Sequence, residues 1–127
     1  MKKILLIDDE ESIGRITKMN IERSGNYEVT LAFSGGEGLK KAGETEFDLV
    51  ITDYRMPGID GKAVLDALKK AKPDGPIVIF SIYHDDGSQK MQDVLRKADG
   101  VISKPIDREQ ILKVIEDALA GRRPGAR

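Results

Sequence analysis

Apolar positions fall into five short, dense runs separated by longer amphipathic stretches. The runs are KILLID (3–8), YEVTLAF (27–33), DLVITD (48–53), PIVIFS (76–81) and GVISK (100–104). Four are almost continuously apolar, the pattern of strands covered on both faces of a parallel sheet, whereas the second alternates and reads as an edge strand. The intervening stretches carry helix signals. Ser34 and Glu37 form an S-x-x-E capping pattern. Val64, Leu65 and Leu68 share one helical face, as do Met91, Val94, Leu95 and Ala98. In the last stretch Asp107 caps, Gln110 follows three residues on, and Ile111, Val114, Ile115, Ala118 and Leu119 form one stripe. The first helix spans about 12–24, with Ile13 and Ile16 expected inward and Ser24-Gly25-Asn26 as its stop. Phe33, Phe47 and Phe80 lie in or beside strands and are expected in the core.

Such alternation predicts a single α/β domain: a parallel sheet with right-handed crossovers and helices on both faces. A length of 127 residues suits one core, with residues 1–120 as the domain and GRRPGAR (121–127) as a flexible tail or linker stub. Composition narrows the partners. A net charge of −1 gives no electrostatic case for nucleic acid or an acidic membrane, and Arg122-Arg123 is too small a patch to alter that. No run approaches the ~20 apolar residues of a membrane span. The chain has no cysteine, which excludes thiolate metal sites and fits a cytoplasmic setting.

Ligands of open parallel sheets bind beyond the carboxyl ends of the strands. The residues that close the apolar runs are therefore the informative ones: Asp8-Asp9, Asp53, Ser81 and Lys104. Carboxylates gathered at one half-buried edge repel one another, so a cation is required. Hard oxygen donors without His or Cys at ligand spacing favour Mg²⁺ over zinc or copper. Asp53 as nucleophile, with Mg²⁺, Lys104 and Ser81 holding the transferred oxygens, makes a phosphoryl-transfer site. His84, the one histidine, is expected as a solvated loop residue beside Asp85 and Asp86.

LLIDDEE, DLVITDYRMPGIDG, IVIFS and VISKP, in this order and spacing, resemble the receiver domain of two-component response regulators over residues 2–120. The resemblance implies a doubly wound (βα)5 fold with strand order 2-1-3-4-5. It implies Asp53 as phosphoacceptor, Asp8 and Asp9 as the acidic pair with Asp9 the direct Mg²⁺ ligand, and the Arg55 backbone carbonyl as a further ligand. Mn²⁺ is an expected substitute. Ser81 would bond the phosphoryl group and Lys104 would pair with it. The implied donor is a sensor histidine kinase or histidine phosphotransfer protein, and readout falls on the fourth helix, fifth strand and fifth helix, toward a downstream protein or a second copy. Gly58 and Gly61 would give the loop after Asp53 its freedom and Met56 would tuck into the core.

Several positions depart from the family pattern. Val101 stands where an aromatic is usual, and its stiff β-branched side chain cannot make the same swing; Tyr83 is expected to take part of that role. Ile82 stands where a small residue is usual and would narrow access to Asp53. Arg55 and Tyr83 occupy positions that tune hydrolysis of the acyl phosphate, and a long-lived phosphoprotein is expected. Lys104-Pro105 resembles the family's cis peptide. The alternatives are a pseudo-receiver working without phosphorylation and a Mg²⁺-dependent aspartyl phosphatase of haloacid dehalogenase type, for which DDEES lacks the threonine of D-x-D-x-T. A flavodoxin-like FMN site would need a cradle for phosphate, and DDEES is too acidic for one.

Overall fold

The computed structural model describes residues 1–81, 88–103 and 107–121. Strands and helices alternate from the start: β1 (Lys2–Ile7), α1 (Glu11–Glu22), β2 (Tyr27–Ala32), α2 (Gly35–Glu44) and β3 (Leu49–Asp53). They continue with α3 (Gly61–Ala71), β4 (Ile77–Ser81), α4 (Gln89–Lys97), β5 (Gly100–Ser103) and α5 (Arg108–Leu119). All strand pairs are parallel, in the order β2-β1-β3-β4-β5. The expected doubly wound α/β fold is therefore the observed one.

Side-chain alternation divides the interior into two cores. Leu5, Ile7, Val50, Ile77 and Ile79 face α3 and α4, where Val64, Leu65, Met91 and Val94 meet them. Ile4, Leu6, Leu49, Ile51, Val78 and Phe80 face the other way, toward Ile21 of α1 and Ile111 and Ile115 of α5. Strands buried on both sides explain why their sequences show no alternation. Each such aliphatic side chain contributes about 1.5–3 kcal/mol by leaving water.

Caps set the helix starts. The Ser34 hydroxyl accepts from the Glu37 N–H at 3.1 Å, while the Glu37 carboxylate accepts from the Phe33 N–H at 2.6 Å. The box predicted for α2 is therefore closed, with the return bond one residue earlier than the usual pattern. It has work to do: α2 reads GGEGLKKAGE, and each interior glycine costs about 1 kcal/mol against alanine. Asp60, Ser88 and Asp107 cap α3, α4 and α5.

Two expectations need correction. Ile16 is 54% exposed, and the inward face of α1 carries Gly14, Thr17 and Ile21 instead. A polar residue can hold that position because the Thr17 hydroxyl donates to the Ile13 carbonyl at 2.7 Å. Of the three phenylalanines Phe80 is fully enclosed and Phe47, half-buried, packs against the first core as expected; Phe33 is half-buried, with the Arg15 guanidinium 5.4 Å from its ring.

Candidate functional site

Register decides which strand ends meet. Ile7 pairs with Thr52, so Asp8, the first residue beyond β1, stands level with Asp53, the last residue of β3. Asp53 in turn pairs with Phe80, and Ser81 comes next on β4, paired with Ser103 of β5. Asp8 is 1% exposed, Asp53 6% and Ser81 3%, so this sheet edge is polar but hardly wet. The Asp8 carboxylate accepts from the Glu10 N–H at 2.9 Å, a local turn that fixes the chain leaving β1.

Among the described residues, one carboxylate oxygen each from Asp8, Glu10 and Asp53 lie within 4.8 Å of one another. Unit charges at that separation repel by roughly 3 kcal/mol per pair at an effective dielectric near 20. The donor set is all hard oxygen, and Glu10 is exposed, which leaves one side of the group open. These residues fit a Mg²⁺ that keeps part of its water shell, and fit neither zinc nor copper.

Glu10 is the member that the sequence reading missed. In extended chain, residues two apart point the same way, and Glu10 has extended backbone angles, φ −90° and ψ 98°. Asp8 and Glu10 are thus brought to one side. Asp9, the expected direct ligand, is half-buried between them in sequence.

The loop after Asp53 is shaped by backbone constraints. The Tyr54 N–H donates to the Phe80 carbonyl at 2.8 Å, prolonging the β3–β4 ladder past the strand. Gly58 has φ +74°, the left-handed region open to glycine. A Cβ at Gly61 would sit 2.5 Å from the Asp53 carbonyl oxygen, so α3 can start this close to the site only without a side chain. Met56 is 8% exposed and joins the core, as expected.

The loop that follows Asp53 borders a cleft lined in part by Tyr54, Arg55, Asp60, Ser88 and Lys90. The Arg55 guanidinium is 6.0 Å and the Lys90 ammonium 5.8 Å from the centre of the buried Tyr54 ring. Lys90 also donates to Asp60. Burial pulls the Asp60 carboxyl upward, but hydrogen bonds from Lys90 and the Ala63 N–H outweigh it and leave the group below the usual aspartate range. Val101 is half-buried and pairs with Ile79. Ile82, Tyr83, His84, Lys104 and the Lys104–Pro105 peptide bond lie outside the described residues.

No described helix is long and apolar enough to cross a membrane. The sequence model of the response regulator receiver domain matches residues 4–116. The alkaline phosphatase synthesis transcriptional regulatory protein PhoP of Bacillus subtilis (strain 168) is 37% identical over 110 residues, covering 87% of this chain and 45% of its own length. A response regulator receiver domain protein from Clostridium thermocellum has a TM-score of 0.85 at 31% identity, covering 94% of this chain and 95% of that one. The response regulator TrrA of Thermotoga maritima, solved in complex with Mg²⁺-BeF, has a TM-score of 0.82 at 31% identity, covering 93% and 99%. The chain spans about half the length of the curated relatives it matches. A match that runs from β1 into α5 places the chain in the response regulator receiver domain family of two-component systems.

Proposed function

We propose that Asp53 accepts a phosphoryl group from a phosphohistidine on a sensor kinase or histidine phosphotransfer protein. A carboxylate oxygen of Asp53 attacks phosphorus, the phosphorus–nitrogen bond of the donor breaks, and the imidazole departs with the electron pair and takes up a proton. The observation that carries this reading is the meeting of Asp8, Glu10 and Asp53 at the open sheet edge, with Ser81 on the adjoining strand.

Asp8 and Asp53, with Glu10 or Asp9, would hold Mg²⁺, and the Arg55 backbone carbonyl would complete the protein's share. The ion, when bound, offsets the crowded carboxylates and the charge of the transferred group. Ser81 would donate a hydrogen bond to a phosphoryl oxygen and Lys104 would supply the facing positive charge. Positioning and charge account for most catalysis of this kind. The added charge biases an existing equilibrium of the fold, and the surface formed by α4, β5 and α5 carries the change to a downstream protein or a second copy. Regulators named for transcription are about twice as long as the matched segment, so this domain's own contacts are assigned to proteins.

The test is intact-mass analysis after incubation with acetyl phosphate and Mg²⁺. One phosphoryl group per chain is expected, absent in Asp53→Asn and absent with EDTA. Continued release of phosphate over many cycles would overturn this reading in favour of an aspartyl phosphatase.

A further inference from the structure

Ion pairs tie α3 to α4 along its length. Asp66 meets Lys97 at 2.9 Å, and Lys69 meets Asp99, just past α4, at 2.6 Å. The third tie, Asp60–Lys90, differs because it faces Tyr54, the residue that follows Asp53. Asp60 divides its two oxygens: one accepts from the Ala63 N–H at 3.0 Å as the cap of α3, the other from Lys90 in the first turn of α4. The Lys90 side chain is 50% exposed, a compact charge on a flexible stem with room to turn.

We propose that Lys90 is a positioning residue for the phosphorylated state. Asp60 holds its ammonium while Asp53 is unphosphorylated; the acyl phosphate draws it away, and the first turn of α4 moves with it. The inference rests on the reading of Asp53 as phosphoacceptor. An acyl phosphate carries about −2 where the carboxylate carried a single charge. The competing anion at Asp60 keeps its one charge throughout, so the balance at Lys90 shifts toward the site as phosphate arrives. Arg55 lies on the same ring and adds a like charge that Lys90 feels. Among the described residues of α4, Lys90 is thus a cation that can join this helix to the charge change through space.

A plain structural tie between α3 and α4 makes a different prediction, and the two partners of the pair separate them. Asp60→Asn keeps an N-cap, since Asn serves as well as Asp there, and releases Lys90 to the site. Lys90→Gln leaves the Asp60 carboxylate without its cation, where it repels an incoming phosphoryl group. If Lys90 responds to competing anions, the variants act in opposite directions; if the pair is only a tie, both loosen α4 and act alike.

The experiment uses the full chain with acetyl phosphate and Mg²⁺, following the initial rate of labelling on Asp53 by Phos-tag electrophoresis. Asp60→Asn is expected to raise the rate and Lys90→Gln to lower it, each about two- to fivefold, the range of a half-exposed ion pair. Both differences should collapse near 1 M salt, where charges are screened within about 3 Å. Hydrogen exchange gives the second readout: with Mg²⁺ and beryllofluoride, protection of the first turn of α4 changes in the parent and stays unchanged in Lys90→Gln. Rates that shift in the same direction, or do not shift, overturn the role of Lys90 while leaving Asp53 as acceptor. A parent chain that takes no label at Asp53 overturns both.

Discussion

Gly61 joins fold to chemistry at a single atom, because any Cβ there meets the Asp53 carbonyl oxygen at 2.5 Å. Backbone cannot yield as a flexible side chain can, so Gly61→Ala is expected to cost about 1–3 kcal/mol in urea unfolding and to slow labelling of Asp53. Glu10 and Asp9 give a second comparison. Glu10 belongs to the carboxylate group that closes within 4.8 Å. Glu10→Gln should therefore weaken Mg²⁺ about tenfold by calorimetric titration, for loss of a charged ligand, and Asp9→Asn should weaken it less. The reverse order would identify Asp9 as the direct ligand, as the family resemblance implies. Much of the site could be read from sequence because the end of a long apolar run marks a strand end, which is where Asp8, Asp53 and Ser81 lie. Glu10 escaped because its membership depends on extended backbone continuing past the strand, a property of φ and ψ rather than of residue type.

Helices here are held by their ends and by charge between neighbours. Ser34 and Glu37 secure the glycine-rich α2, and Ser34→Ala should lower stability by about 1 kcal/mol in denaturant melts. On the other side of the sheet, Ile16→Ser should fall within ~0.5 kcal/mol of the parent, as an exposed position does. Inward-facing Thr17 shows why that could not be read from hydrophobicity: a hydroxyl bonded to the turn below is as acceptable inside as an isoleucine. The ties between α3 and α4 have a pH signature. The Asp66 carboxyl is held below its usual range by hydrogen bonds from Lys62 and Lys97, with burial opposing, and Asp60 is likewise lowered. Unfolded, both titrate near 3.9. Their contribution is thus complete above that value and drains as pH falls through the lower folded values. Urea midpoints followed from about pH 6 to about pH 2 should decline through that window, and less steeply in Asp66→Asn.

Taken whole, the molecule keeps three carboxylates close at one edge of its sheet, so a cation held there would be coupled to its stability. Mg²⁺ at a hundredfold above its Kd should add about 2.7 kcal/mol, read as a rise in Tm that EDTA reverses. Asp53→Asn should raise the Tm of the metal-free chain, by removing repulsion, and lose most of the response to Mg²⁺. The layered α/β architecture was plain in the alternation of runs and amphipathic stretches. The order of the strands was not: alternation marked only the second run as an edge, where β2 lies, the other four runs are equally suited to the centre of a sheet, and only resemblance to a family ordered them. The buried ring of Tyr54, within about 6 Å of two cations and next in sequence to Asp53, has a practical consequence. The chain has three tyrosines and no tryptophan, so its ultraviolet emission carries few competing signals. Events at the sheet edge should register in that emission without any attached dye, and the unmodified protein then serves as its own optical gauge.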